Sequence, residues 1–205
     1  MNIKKAEKHL RGAKKIIEEH VGKEKREVFI SETLVQYKNI EPHGIKYTQS
    51  LNKSNFDSGV LGLSIYRTLI GHFNFEQNKA ICILTDILKI VKSNEIEGFF
   101  LSRFIISKVG KMNILKRIME KSMYSLNEPN GWEIKKCECD AYLAFDICQC
   151  GLYNWLKEQG AEEICTAFCE IDYVTAQYME GLKLVRTKTI ANGDKICDFR
   201  YVKNS

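Results

Sequence analysis

Proline and histidine are both scarce in this chain, with two prolines (Pro42 and Pro129) and four histidines among 205 residues. So few prolines leave long helices uninterrupted. His9, His20, His43 and His72 are scattered, with no His-Glu-x-x-His and no paired spacing, which removes the usual histidine zinc sites. His72, alone in LIGHF, reads as a core or pocket-rim residue rather than a general base. G-x-x-x-x-G-K-[ST], G-x-G-x-x-G and G-x-S-x-G are all missing, so nucleotide-driven and serine-hydrolase chemistry drop out. No run approaches the roughly 20 consecutive apolar residues of a membrane span, and MNIKKAEKHL lacks the apolar core of a secretory signal. The expectation is a cytoplasmic protein without membrane contact.

What is present is an ordinary globular composition, 44% hydrophobic and 28% charged, sufficient for one full core. The net charge of +5 is mild, and the basic residues of the first 28 positions are interleaved with Glu7, Glu18, Glu19, Glu24 and Glu27. That mixture is a solvated helix face, and no basic cluster with interleaved aromatics suggests nucleic acid. Ile3, Ala6, Leu10, Ala13, Ile17 and Val21 recur every three or four positions. They predict an amphipathic helix over 1–28 that docks on a single domain, 29–205, or on a second subunit as a homodimer.

Residues 39–58 are rich in turn formers and read as a loop. The segments 60–73 and 80–91 are apolar over most of their circumference and predict buried helices, followed by amphipathic helices at 95–108 and 112–126. Asn127-Glu128-Pro129-Asn130-Gly131 is a turn cluster. After it, 132–139 reads as a strand, 144–159 as a helix ending at Gly160, and 162–168 as a short helix. Residues 182–191 and 195–202 predict a closing hairpin around Asn192-Gly193. The fold class is therefore α+β, a helical N-terminal half packed on a small antiparallel sheet.

The hairpin carries mixed chemistry. With an even loop, alternation places Thr187, Thr189, Asp198 and Arg200 on one face and Arg186, Lys188, Cys197, Phe199 and Tyr201 on the other. Two readings stay open: a surface hairpin with a hydrogen-bonded outer face, or a pocket wall in which an arginine grips an anion and Asp198 orients it or serves as a base. Eight cysteines in a reducing compartment are thiols, nucleophiles or ligands rather than disulfides. Three close pairs stand out, Cys137-x-Cys139, Cys148-x-Cys150 and Cys165-x3-Cys169. Candidate ligands for zinc or another divalent metal are Cys137, Cys169 and Cys197, although buried thiols acting as small hydrophobes account for most of the eight. Cys169 and Cys197 have acidic and basic company in Asp172, Asp198, Arg186 and Arg200.

The run 168–202, FCEIDYVTAQYMEGLKLVRTKTIANGDKICDFRYV, resembles the C-terminal signature of the L-2-amino-thiazoline-4-carboxylic acid hydrolase family. A Cys-x-x-Asp (Cys169, Asp172) precedes Arg-x-x-Thr-Ile-Ala-x-Gly-Asp-x-x-Cys-Asp-Phe-Arg (Arg186 to Arg200). Similarity extends over about 60–203, with Cys139, Cys148 and Cys150 as departures. The resemblance implies hydrolytic opening of a cyclic amidine to N-carbamoyl-cysteine on a route to cysteine. On that basis Cys169, Asp172, Cys197 and Asp198 are the catalytic candidates, and Arg186, Thr189 and Arg200 the substrate-binding ones. The hairpin also resembles that of the 4-vinyl reductase domain. That likeness implies a ligand-binding fold related to nitric-oxide-signalling and Golgi-transport proteins, and with it the alternative of a non-catalytic small-molecule or metal-holding sensor.

Overall fold

The computed structural model describes residues 1–40 and 47–204, apart from the side chains of residues 100 and 102. The predicted N-terminal helix is broken twice. Helix α1 (Ile3–Gly12) begins at an Asn2 cap, whose Oδ1 accepts from the Lys5 N–H at 2.9 Å. Helix α2 (Lys14–Val21) ends at Gly22, whose φ of +89° suits glycine, and α3 (Arg26–Ile40) follows after one 3-10 turn. The apolar stripe behaves as its spacing predicts: Ala6, Leu10, Ala13, Ile17 and Val21 are buried, in one continuous core with Phe29 and Ile30 of α3. The stripe thus docks on the body of its own chain.

Helix α4 (Ser50–Gly71) and helix α5 (Gln77–Glu97) are the long central pair. The loop expected over 39–58 is corrected on both sides, since 39–40 close α3 and 50–58 form the first turns of α4. Turn-forming residues there are overridden by the packing of Asn52 and Phe56, both buried on one side of the helix. His43 and the rest of that segment, 41–46, lie outside the described residues. Shorter helices α6 (Phe100–Lys108) and α7 (Asn113–Tyr124) lead to the sheet.

The sheet has four antiparallel strands in the order β1-β2-β4-β3: β1 (Glu133–Lys136), β2 (Leu143–Gln149), β3 (Leu182–Val185) and β4 (Cys197–Lys203). The α+β expectation holds. The helix expected over 144–159 does not: its first half is β2, and only α8 (Gly151–Glu158) is helical. Leu143, Phe145 and Ile147 alternate with polar or small residues, a period of two that the short window hid. Helix α9 (Cys165–Gln177) then packs along α5, with Lys89 and Glu170 paired at 3.3 Å.

The closing hairpin is looser than its Asn-Gly pair suggests. Pairing of β3 with β4 stops at Val185↔Arg200, and 186–196 form a long loop in which Asn192-Gly193 closes a 3-10 turn. A Cβ on Gly62 would collide with the tip of the Phe168 ring, so glycine there lets that α9 side chain pack against α4. Among the described residues, no helix is long and apolar enough to cross a membrane.

Candidate active site

Between the inner face of the sheet and helices α4, α5, α7 and α9 lies a cavity of about 360 Å³. Its wall on the sheet side follows from strand alternation. Register places Phe145 opposite Phe199 and Leu143 opposite Tyr201, and both phenylalanines face inward with rings stacked at 4.9 Å. Cys197, Phe199 and Tyr201 are buried on this face, while Asp198 and Arg200 point to the other.

One end of the cavity is polar and sulfur-rich. Cys150, Cys165, Cys169 and Cys197 all line it, together with Asp172 and Arg186. Cys150 is the N-cap of α8, and its Sγ accepts the Tyr153 N–H at 3.4 Å. The turn before α8 is locked by glycine: a Cβ on Gly151 would meet the Asn130 carbonyl and the Gly131 backbone at 2.9 Å. The Cys165 thiol neighbours those of Cys150 and of Cys169, one helical turn along α9.

These settings drive the thiols apart. Cys150 is drawn below its ordinary value, chiefly by the Cys165 thiol, with the Tyr153 and Leu152 N–H groups adding to this against the effect of burial. Cys165 is pushed well above it by the neighbouring Cys150 and Cys169 thiols and by burial, so it stays protonated. Burial raises Cys197 to about 12, even though the Ile190 N–H donates to its Sγ at 3.2 Å. Of these three thiols, Cys150 is the one whose thiolate the surroundings favour.

Asp172 and Arg186 form the charged part of the site. Arg186 Nη1 donates to Asp172 Oδ2 at 2.6 Å and Nη2 to the Cys169 carbonyl at 2.8 Å. The guanidinium lies between the rings of Tyr173, at 5.0 Å, and Phe199, at 4.9 Å. Its side chain is only 2% exposed, and Nε has no hydrogen-bond partner among the described residues. Asp172 is enclosed by the fold, yet 39% of its side-chain surface is accessible, and that surface belongs to a residue lining the cavity. Burial raises its carboxyl above the ordinary value, with Arg186 opposing this in part. Burial also works against the Arg186 charge, but Asp172 and Cys169 keep it above its ordinary value.

The sequence candidates therefore divide. Cys169, Asp172, Arg186 and Cys197 converge on the cavity; Thr189, Asp198 and Arg200 are not among its lining residues. Asp198 accepts from the Thr187 and Lys188 N–H groups at 2.8 and 2.6 Å and from the Thr187 hydroxyl at 2.7 Å, which fixes the start of the loop. Thr189 Oγ1 accepts from the Asn192 N–H at 3.3 Å, and the Thr189 N–H donates to Asp194 at 2.9 Å. Arg200 pairs with Asp146 at 2.6 Å and donates to the Phe145 and Phe199 carbonyls at 3.0 Å. Cys137 is also remote from the cavity: it is influenced by Cys139, Arg200 and Asp146 on the outer side. Among the described residues, no group of three or more His, Cys, Asp or Glu side chains is arranged to hold a metal. The sequence showed Cys150 only as half of the Cys148-x-Cys150 pair inside an expected helix; the helix start at Gly151, which makes it an N-cap, was not recognised.

The family model described as L-2-amino-thiazoline-4-carboxylic acid hydrolase matches residues 12–201, and the chain belongs to that family. Neither the curated proteins nor the solved structures gave a match.

Proposed function

We propose that this family member hydrolyses a small cyclic amidine bearing a carboxylate, such as 2-aminothiazoline-4-carboxylate, with Cys150 as nucleophile. The observation that carries the reading is Cys150 itself: a thiol capping α8 beside that of Cys165, in a cavity that also holds an accessible carboxyl.

In this mechanism the Cys150 thiolate forms a bond to the ring carbon between nitrogen and sulfur. Collapse of the adduct breaks the bond from that carbon to the ring sulfur, and the departing sulfur takes the Asp172 proton. An isothiourea remains on Cys150. Water then adds to the same carbon and loses a proton to the Asp172 carboxylate, and the Cys150 thiolate leaves. One water is consumed, both nitrogens are kept, and the product is N-carbamoyl-cysteine. Arg186 holds Asp172 in place through Nη1. Lys92, which also lines the cavity and acts on the charge of Asp172, supplies a cation for the substrate carboxylate.

The test is turnover of 2-aminothiazoline-4-carboxylate by the wild type and by Cys150→Ala, with acid-quenched samples weighed for a covalent adduct. The expected result is turnover with an adduct on Cys150, and neither in the variant. An active Cys150→Ala protein alongside a dead Asp172→Asn protein would replace the thiol mechanism with direct attack by water.

A further inference from the structure

The polar end accounts for only part of the cavity. Beyond it the walls are mostly apolar, with Met119 and Met123 of α7, Trp132 ahead of β1, Phe145 of β2 and Val91 of α5, while His9, Ser58, Lys92 and Glu95 contribute polar groups. The space then reaches the surface, since exposed Leu51 and Asn55 also line it. A volume of about 360 Å³ lies in the range of about 300–1,000 Å³ that encloses drug-sized ligands. A five-membered ring carrying an amino and a carboxyl group occupies the polar end and leaves the apolar part empty. Methionine adds a second indication, because an unbranched thioether adapts to ligand chains of varied shape.

We infer that the preferred substrate is extended, a polar amidine carboxylate head joined to an alkyl or aryl arm that lies between Met119, Met123, Trp132 and Phe145. This deepens the hydrolase reading and rests on it for the head, while the arm rests on the apolar walls alone. The head sits at Cys150 and Asp172, and the arm runs toward Leu51 and Asn55. Burying each methylene of such an arm gives a gain of about 3- to 4-fold in affinity, up to the length of the cavity.

Two series of 2-aminothiazoline-4-carboxylates test this, one alkylated on the exocyclic nitrogen and one on the ring methylene, each from methyl to hexyl. In at least one series kcat/KM rises by about 3-fold per methylene and then levels off. Turnover of the parent compound with both series flat or falling would overturn the arm and leave the hydrolase reading standing. If no compound is turned over, binding of butyrate, hexanoate and octanoate by calorimetry decides the arm separately. Affinity that climbs with chain length, and falls in Met123→Trp while the parent carboxylate acetate is unaffected, supports the arm; no dependence on length overturns it. Met119→Phe, a smaller change on the same wall, repeats the measurement should Met123→Trp melt early.

Discussion

The two sides of the sheet each hold an arginine–aspartate pair and put it to different use: Arg200 of β4 with Asp146 of β2 outside, Arg186 after β3 with Asp172 of α9 inside. On the outer face Arg200 and Asp146 pair at 2.6 Å with side chains 22% and 23% exposed, and Asp198 is saturated by backbone and hydroxyl donors. On the inner face Arg186 and Asp172 also pair at 2.6 Å, but the arginine is nearly inaccessible and the aspartate opens on a cavity. Distance does not separate the two pairs; surroundings do. Asp198, whose partners are all supplied by the protein, is held as a carboxylate, whereas Asp172, buried yet open to a ligand, is kept closer to protonation. A fold can thus build an ion pair closed off by the protein and one open to a cavity from the same two residue types.

Asp172→Asn gives the largest contrast, with kcat on the thiazoline lowered by about 10²–10⁴-fold, measured beside Asp146→Asn, which leaves kcat unchanged. Equal losses in both variants would erase the functional difference between the faces. Arg186→Met follows: it strands a carboxyl in a low-dielectric site and lowers unfolding free energy in urea by about 3 kcal/mol, the low end for a broken buried pair because Asp172 keeps its cavity-facing surface.

The pH dependence of stability has opposite sign on the two faces. Asp172 is raised, so the folded protein keeps a proton that the unfolded chain releases from its ordinary value of 3.8 upward, and stability falls as pH rises through that window. For Asp198 burial works in the raising direction, but the Thr187 hydroxyl and the Thr187 and Lys188 N–H groups outweigh it and hold the carboxyl below 3.8. Its contribution is present above 3.8 and is lost as pH falls through the lowered value. Urea titrations of Asp172→Asn and Asp198→Asn across the acid range are expected to remove slopes of opposite sign, and slopes of one sign would contradict the assignment. The smallest effect is Arg200→Ala, about 1 kcal/mol in stability with kcat unchanged, since its pair is partly solvated.

Much of the fold is legible in the residues. The 3.6-residue recurrence buried Ala6, Leu10, Ala13, Ile17 and Val21 and left Ile3 half-buried, and the alternation along Cys197–Tyr201 sorted the strand into the faces observed. The same rule paired Arg186 with the Cys197 face and Thr187 with Asp198. It stopped at Lys188, which is exposed, because strand pairing ends at Val185. Residues 144–149 misled because a short apolar run fits either period, and partners far along the chain, Cys197 to Tyr201, selected the strand.

The sequence by itself determined the family, the α+β class and which side chains share a face of the N-terminal helices and of the last strand, because those follow from local periodicity and a dense motif. Only the tertiary structure decided that Cys150, Cys165, Cys169 and Cys197 meet, that Arg186 holds the catalytic candidate Asp172, and that Arg200 serves the outer face. The physical reason is that a strand or helix fixes the direction of its side chains relative to one another. Which face is covered, and by what, depends on how α9, α8 and the sheet close around a common cavity.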